Sequence, residues 1–158
     1  MVSGFTRQEA LSITGITSGR LGYLDETGLI SPQKFGNPKR PKVVYSVEQI
    51  IELKVISRLR ERLSLQEIRK VIDFLKSRNY EQSLFNCNLV FADSQLYLIE
   101  DWEDFGMMVL KASGKNKGQI VIHEIGKIGE VLSDLRKEAE KHQVLDFEKR
   151  IQGTPLAV

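Results

Sequence analysis

Lys34, Lys39, Arg40 and Lys42 put four cations within nine residues, on a stretch punctuated by Pro32, Pro38 and Pro41. Cations at that density have little to pack against. A loop of this kind can follow a phosphate backbone, or send Arg40 into a narrow minor groove. The plainer alternative is a solubilising surface loop. Just upstream, Thr17, Ser18 and Arg20 stand where a helix would begin. Short hydroxyls and free amides at a helix N-terminus bind phosphate or a base edge, and they also simply cap the helix. Arg20, on the first turn, can read guanine through its two-pronged guanidinium or hold a phosphate. Tyr23 can donate to phosphate or join Leu21, Leu24 and Leu29 in a core; Leu21 and Leu24 are assigned to that core. Arg7 is a weaker phosphate candidate. Arg58, Arg60 and Arg62 either meet phosphate or offset a helix dipole and pair with Glu61.

The elements that must position these groups are marked by their caps. Thr6-Arg-Gln-Glu9, Ser46-Val-Glu-Gln49 and Ser64-Leu-Gln-Glu67 each fit a capping box, in which hydroxyl and carboxyl or amide satisfy each other's backbone amides. They predict helices over about 6–14, 47–62 and 65–77. Gly15 closes the first. Thr17 or Ser18 opens another, which ends near Thr27 with Gly28 as its left-handed stop. Val47, Ile51, Val55 and Leu59 form one apolar stripe, and Ile68, Val71, Ile72 and Leu75 another. The three prolines exclude a helix from the cationic stretch and favour an extended hairpin, with Val43-Val44-Tyr45 as its return strand. A short helix, a Gly-containing turn, a second helix and a basic hairpin make a helix-turn-helix with a wing. That arrangement offers one helix to a DNA major groove and a loop to the neighbouring backbone.

Charge is divided along the chain. Residues 1–80 carry 14 Lys/Arg against 8 Asp/Glu, and residues 81–158 carry 9 against 13. A basic first half and an acidic second half suit a protein that touches polyanion with one end. Cys87 is the only cysteine, which excludes an intramolecular disulfide or a multi-cysteine metal site. Cys87, His123 and His142 lack the tight spacing of zinc ligands, so no metal and no cofactor is expected. Glu100, Asp101, Glu103 and Asp104 surround Trp102, but without a nucleophile, phosphate loop or paired histidine they read as a solvated turn, not as catalytic acids. No signal peptide or membrane span is evident, and a cytoplasmic protein is expected.

The second half has a different pattern. Asn88–Ala92 and Gln95–Glu100 flank a turn at Asp93-Ser94 and predict a hairpin; Met107–Ala112 and Gln119–His123 predict a second pair around Gly114–Gly118. Tyr97, Phe91, Trp102 and Phe105 are assigned to the core of this sheet. Ile125, Ile128, Leu132, Leu135 and Ala139 recur at helical spacing and predict a helix of about 127–150. Its narrow stripe is the form of a helix that pairs with another helix, so Ile128, Leu132, Leu135 and Ala139 are the expected homodimer seam. The resulting class is α+β: a DNA-binding domain over 1–78, a small β module over 79–124, and a dimerisation helix and tail over 125–158. The β module is too small for an independent core and is expected to pack on the first domain or on a second subunit.

Phe5-Thr6, Thr14–Thr17, Leu21, Tyr23, Asp25–Ile30, Pro32, Tyr45-Ser46, Ile56–Arg60, Ser64-Leu65 and Glu67-Ile68 together resemble the MerR family, over about residues 5–76. The resemblance implies a winged-helix transcription regulator, working as a homodimer on a pseudo-palindromic operator, with the second helix in the major groove. It also implies phosphate contacts from Tyr23 and Tyr45. Relatives activate a promoter by untwisting it or block polymerase, which makes RNA polymerase a further partner. With no recognisable metal- or drug-sensing module, a repressor is the expectation. The layout is similar to short cyanobacterial-type members, one subgroup of which represses type V-K CRISPR-associated transposon genes. The chain departs from the family at Gly19 and Gly22, where arginine is usual, at Val43, and in a shortened turn at Arg62-Leu63-Ser64. The alternative function is an excisionase-like factor that bends DNA for a mobile element.

Overall fold

The computed structural model describes residues 4–59, 63–80, 86–99, 103 and 122–152. Helix α1 (Arg7–Thr14) begins at a capping box: Thr6 Oγ1 accepts from Glu9 N at 3.1 Å, and Glu9 Oε1 accepts from Thr6 N at 2.9 Å. It ends at Gly15 with φ 78, a left-handed position that favours glycine. Thr14 Oγ1 fixes the turn, donating to Ala10 O at 2.6 Å and accepting from Ile16 N at 3.3 Å. Helix α2 (Ser18–Glu26) follows, and Gly28 at φ 76 reverses the chain after it. Strands β1 (Gln33–Phe35) and β2 (Lys42–Val44) form an antiparallel hairpin. The return strand therefore stops one residue before Tyr45, whose backbone pairs instead with Phe5 at 2.7 and 2.8 Å.

Helices α3 (Val47–Arg58) and α4 (Leu65–Ser77) both start at the expected capping boxes. The four expected α4 residues are all buried. Helix α3 departs from its single stripe: Ile50, Leu53, Ile56 and Glu52 are buried along with Val47, Ile51 and Val55. It is enclosed on several sides, by α1, by α4 and by a C-terminal helix described below.

Strands β3 (Asn88–Ala92) and β4 (Gln95–Ile99) form the expected hairpin, turning through Asp93 and Ser94, both at positive φ. Strand β5 (Ile122–Gly126) adds to the other side of β3, giving the antiparallel order β4-β3-β5. Ile125 thus belongs to a strand and not to the helix its spacing suggested. The partner expected for this strand, Met107–Ala112, lies outside the described residues, as do Gln119, the Gly114–Gly118 turn, Trp102 and Phe105. The sheet packs against α4 through β4, so the β module rests on the first half of the chain.

The expected helix over 127–150 is two helices. Helix α5 (Ile128–Lys141) ends at His142, Gln143 and Asp146 take left-handed φ values of 57 and 58, and α6 (Phe147–Gln152) restarts beyond them. Neither glycine nor proline marks this break.

The seam assigned to a second copy is filled by the chain itself. Ile128, Leu135 and Ala139 are 0%, 1% and 2% exposed, and Leu132 is partly buried. Val131, between them, is also fully buried, and α5 packs on α1 and α3. An apolar face desolvated within the chain at three of its four positions has little surface left to bury against a symmetry mate. One hydrophobic cluster runs from Phe5 through α1, α2, α3 and α4 to β3, β5, α5 and Phe147.

Candidate nucleic-acid interface

The N-terminus of α2 is open to solvent and lined by polar groups. Thr17 and Ser18 are exposed, and Thr17 Oγ1 caps the helix by accepting from Arg20 N at 3.2 Å. Arg7, from the start of α1, donates to Ser18 Oγ at 2.9 Å and reaches Ser18 O at 3.4 Å. Its cation is thereby held beside amides and a helix dipole that already favour an anion. Capping and anion binding are compatible here, because the helix leaves several amides free.

Tyr23 is 47% exposed, whereas Leu21 and Leu24 are 1% and 0% exposed. The two open readings of Tyr23 separate: the aromatic ring is not core. Arg20 is half-buried at the edge between these faces, and its Nε and Nη2 are shielded without a hydrogen-bond partner. A guanidinium left in that condition is costly, and an incoming acceptor such as a phosphate or guanine edge would satisfy it. Gly19 and Gly22 sit where a Cβ would meet nothing within 4 Å, so the fold itself does not demand glycine at either position.

The cationic hairpin is fastened to α2. Lys34 Nζ lies 3.1 Å from the Asp25 carboxylate, and Gln49 Nε2 donates to Ser31 O at 2.7 Å just before β1. Lys34 is thus partly neutralised, a role not read from the sequence. At the tip, Asn37 orders the loop, its Oδ1 accepting from Lys39 N at 3.0 Å and its O from Arg40 N at 3.1 Å. Lys39, Arg40 and Lys42 are exposed and form no ion pair among the described residues. Three uncompensated cations therefore remain on a loop held beside α2.

Two expected contacts are corrected. Tyr45 is 2% exposed, a core residue closing the Phe5 bridge, and burial together with the nearby Asp25 raises its phenol pKa. Arg58 is partly buried and already partnered within the chain. Its guanidinium pairs with Asp134 and donates to Ile125 O, joining α3 to β5 and α5. With its charge matched by an acid and its donors occupied, it has little left for phosphate. The partner lies 76 residues away, and no local pattern announces it. Arg60 and Arg62 lie outside the described residues.

Residues 5–75 match the family model described as MerR HTH family regulatory protein. The match supports a MerR-family helix-turn-helix regulator. It spans α1 through most of α4, the same elements that carry Thr17, Arg20, Tyr23 and the hairpin cations. A MerR-type helix-turn-helix supports DNA as the partner and transcription regulation as the role. No curated protein matches the chain. Among the described residues no helix is long and apolar enough to cross a membrane, and no group of three His, Cys, Asp or Glu side chains is placed to hold a metal ion.

Proposed function

We propose that this protein is a cytoplasmic repressor that binds double-stranded promoter DNA as a homodimer and blocks RNA polymerase. Helix α2 enters the major groove, and the β1–β2 hairpin serves as the wing on the flanking backbone. The observation that carries this reading is the Asp25–Lys34 bridge, which ties the hairpin with its three unpaired cations to the last turn of α2. In this reading Arg7, Thr17, Ser18 and Tyr23 hold phosphates, Lys39, Arg40 and Lys42 attract the backbone, and Arg20 is the base reader.

The homodimer follows from information content. One helix-turn-helix reads only a few base pairs, and two related by a dyad read half-sites one or more helical turns apart. With the α5 seam largely covered, we put the self-contact on the β module, and the 47% exposure of Ile122 supports it.

The test combines footprinting of bound genomic DNA with a salt titration. Replacing Lys39, Arg40 and Lys42 together by Ala should weaken binding to every sequence and flatten the salt slope by about one unit per lost phosphate contact. Unchanged affinity and slope would remove the hairpin from the interface. A footprint with dyad symmetry, and a dimer by light scattering, are the expected companions. A monomer that binds its site tightly would defeat the dimeric reading.

A further inference from the structure

Phe35 ends β1 with 46% of its surface exposed. Alternation along the strand sends Lys34 toward Asp25 and puts Phe35 on the opposite face, in register with Lys42. Gly36, at φ 83, turns the chain immediately afterwards. Among the described residues no ring–ring or cation–π contact holds the side chain, and it joins neither hydrophobic cluster. Large exposed apolar side chains among the described residues are Tyr23, Phe35, Ile122 and Leu145. Phe35 alone of these stands between lysines, with Lys34 before it and Lys42 across the strand pair.

A loop that only followed phosphates would need cations and nothing apolar. With 46% of Phe35 exposed and the residue outside both hydrophobic clusters, much of its apolar surface is available to whatever those cations draw in. Duplex DNA offers an aromatic ring two apolar surfaces, the base stack and the sugar walls of the minor groove. Resting on the DNA-binding reading above, we propose that Phe35 is an apolar wedge. While α2 occupies the major groove, the hairpin reaches the adjacent minor groove. The Phe35 ring then enters between two base pairs, unstacking that step and bending the duplex. The flanking Lys34 stays tied to Asp25, which fixes the depth from which the ring projects.

The experiment uses the full chain and a duplex that the wild-type protein selects from a random pool. Labels at the two DNA ends report the bend by energy transfer, and 2-aminopurine at successive steps reports unstacking. Phe35→Ala should bind about tenfold more weakly, the scale of one lost base–aromatic contact. It should abolish the 2-aminopurine signal and straighten the DNA. Its salt slope should stay at the wild-type value, because no phosphate contact is removed. Phe35→Leu keeps an apolar wedge and should retain both affinity and bend. Melting of both variants should stay close to the wild type, since the ring belongs to neither hydrophobic cluster. A Phe35→Ala protein that binds and bends like the wild type overturns the wedge while leaving the DNA-binding reading intact. A loss accompanied by a flattened salt slope overturns it too. If the wild type selects no duplex, and the hairpin cations prove irrelevant to any binding, both readings fall together.

Discussion

Glu52 is a carboxyl at 2% exposure in the middle of α3, among side chains that are otherwise apolar. Tyr80 Oη donates to its Oε2 at 3.2 Å, and Asn79 and Tyr80 both take left-handed backbone angles to bring the phenol there. Burial raises the Glu52 pKa from 4.5 to about 7; Lys76 and the Tyr80 hydrogen bond oppose the rise, and Glu48 adds to it. The sign follows directly. Between those two values the folded state holds a proton that the unfolded chain has released, so stability falls as pH rises through that window. At about 1.4 kcal/mol per pKa unit the loss approaches roughly 3 kcal/mol by pH 8. Glu52→Gln keeps an acceptor for Tyr80 and cannot ionise. Its melting temperature should therefore fall less than that of the wild type between pH 5 and pH 8, and it should be the more stable protein at pH 8. Parallel curves would show that the carboxyl finds solvent or a counter-charge. This residue was not legible in the sequence. It stands one position from Ile51 in an apparent stripe, where an acid reads as solvated surface. Only the packing of three helices around α3 turns that surface inward. Arg58 was misread for the same reason.

At the scale of elements, helix starts were the most legible feature. A capping box joins two residues three positions apart, complete in the local sequence, and all three occur where Thr6, Ser46 and Ser64 predicted. Helix ends and partners were less legible, because the left-handed residues at Gln143 and Asp146 have no glycine to announce them. A narrow apolar stripe also looks the same whether it meets its own chain or another. Within the candidate site, Tyr23 and the hairpin cations lie exposed, while Tyr45 is core and the partly buried Arg58 is tied to Asp134 and Ile125. Helix α2 carries a further consequence of its composition. Gly22 is helical and a Cβ there enters open space, so nothing offsets the backbone entropy that glycine costs. Gly22→Ala should raise stability by about 1 kcal/mol, seen as a higher thermal midpoint with unchanged far-ultraviolet signal. A lower midpoint would show that the position meets a neighbour at close range. Gly19, nearer the helix start, should respond less.

At the scale of the whole molecule, the C-terminal helices are part of the same core as the helix-turn-helix elements. Arg150 Nη1 reaches Glu9 Oε1 at 2.7 Å and lies over the Phe5 ring, and Phe147 packs on Phe5 with centroids 5.6 Å apart. Glu9 thus serves its own capping box and a clasp from α6 at once, and the two hydrogen bonds hold its carboxyl below its ordinary pKa. Leu135→Glu should therefore unfold the protein, since it puts an unpaired charge at a site 1% exposed and the penalty is several kcal/mol. Circular dichroism melting with light scattering checks this. A folded, monomeric Leu135→Glu variant would return the α5 seam to the subunit interface. The same clasp has a consequence for biosynthesis. Glu9 and Arg150 are separated by 141 positions, so α1 is synthesised well before the helices that close over it. A nascent chain stalled before residue 128 carries every element of the MerR-type segment, yet leaves the α5-facing sides of α1 and α3 uncovered and exposed to chaperones.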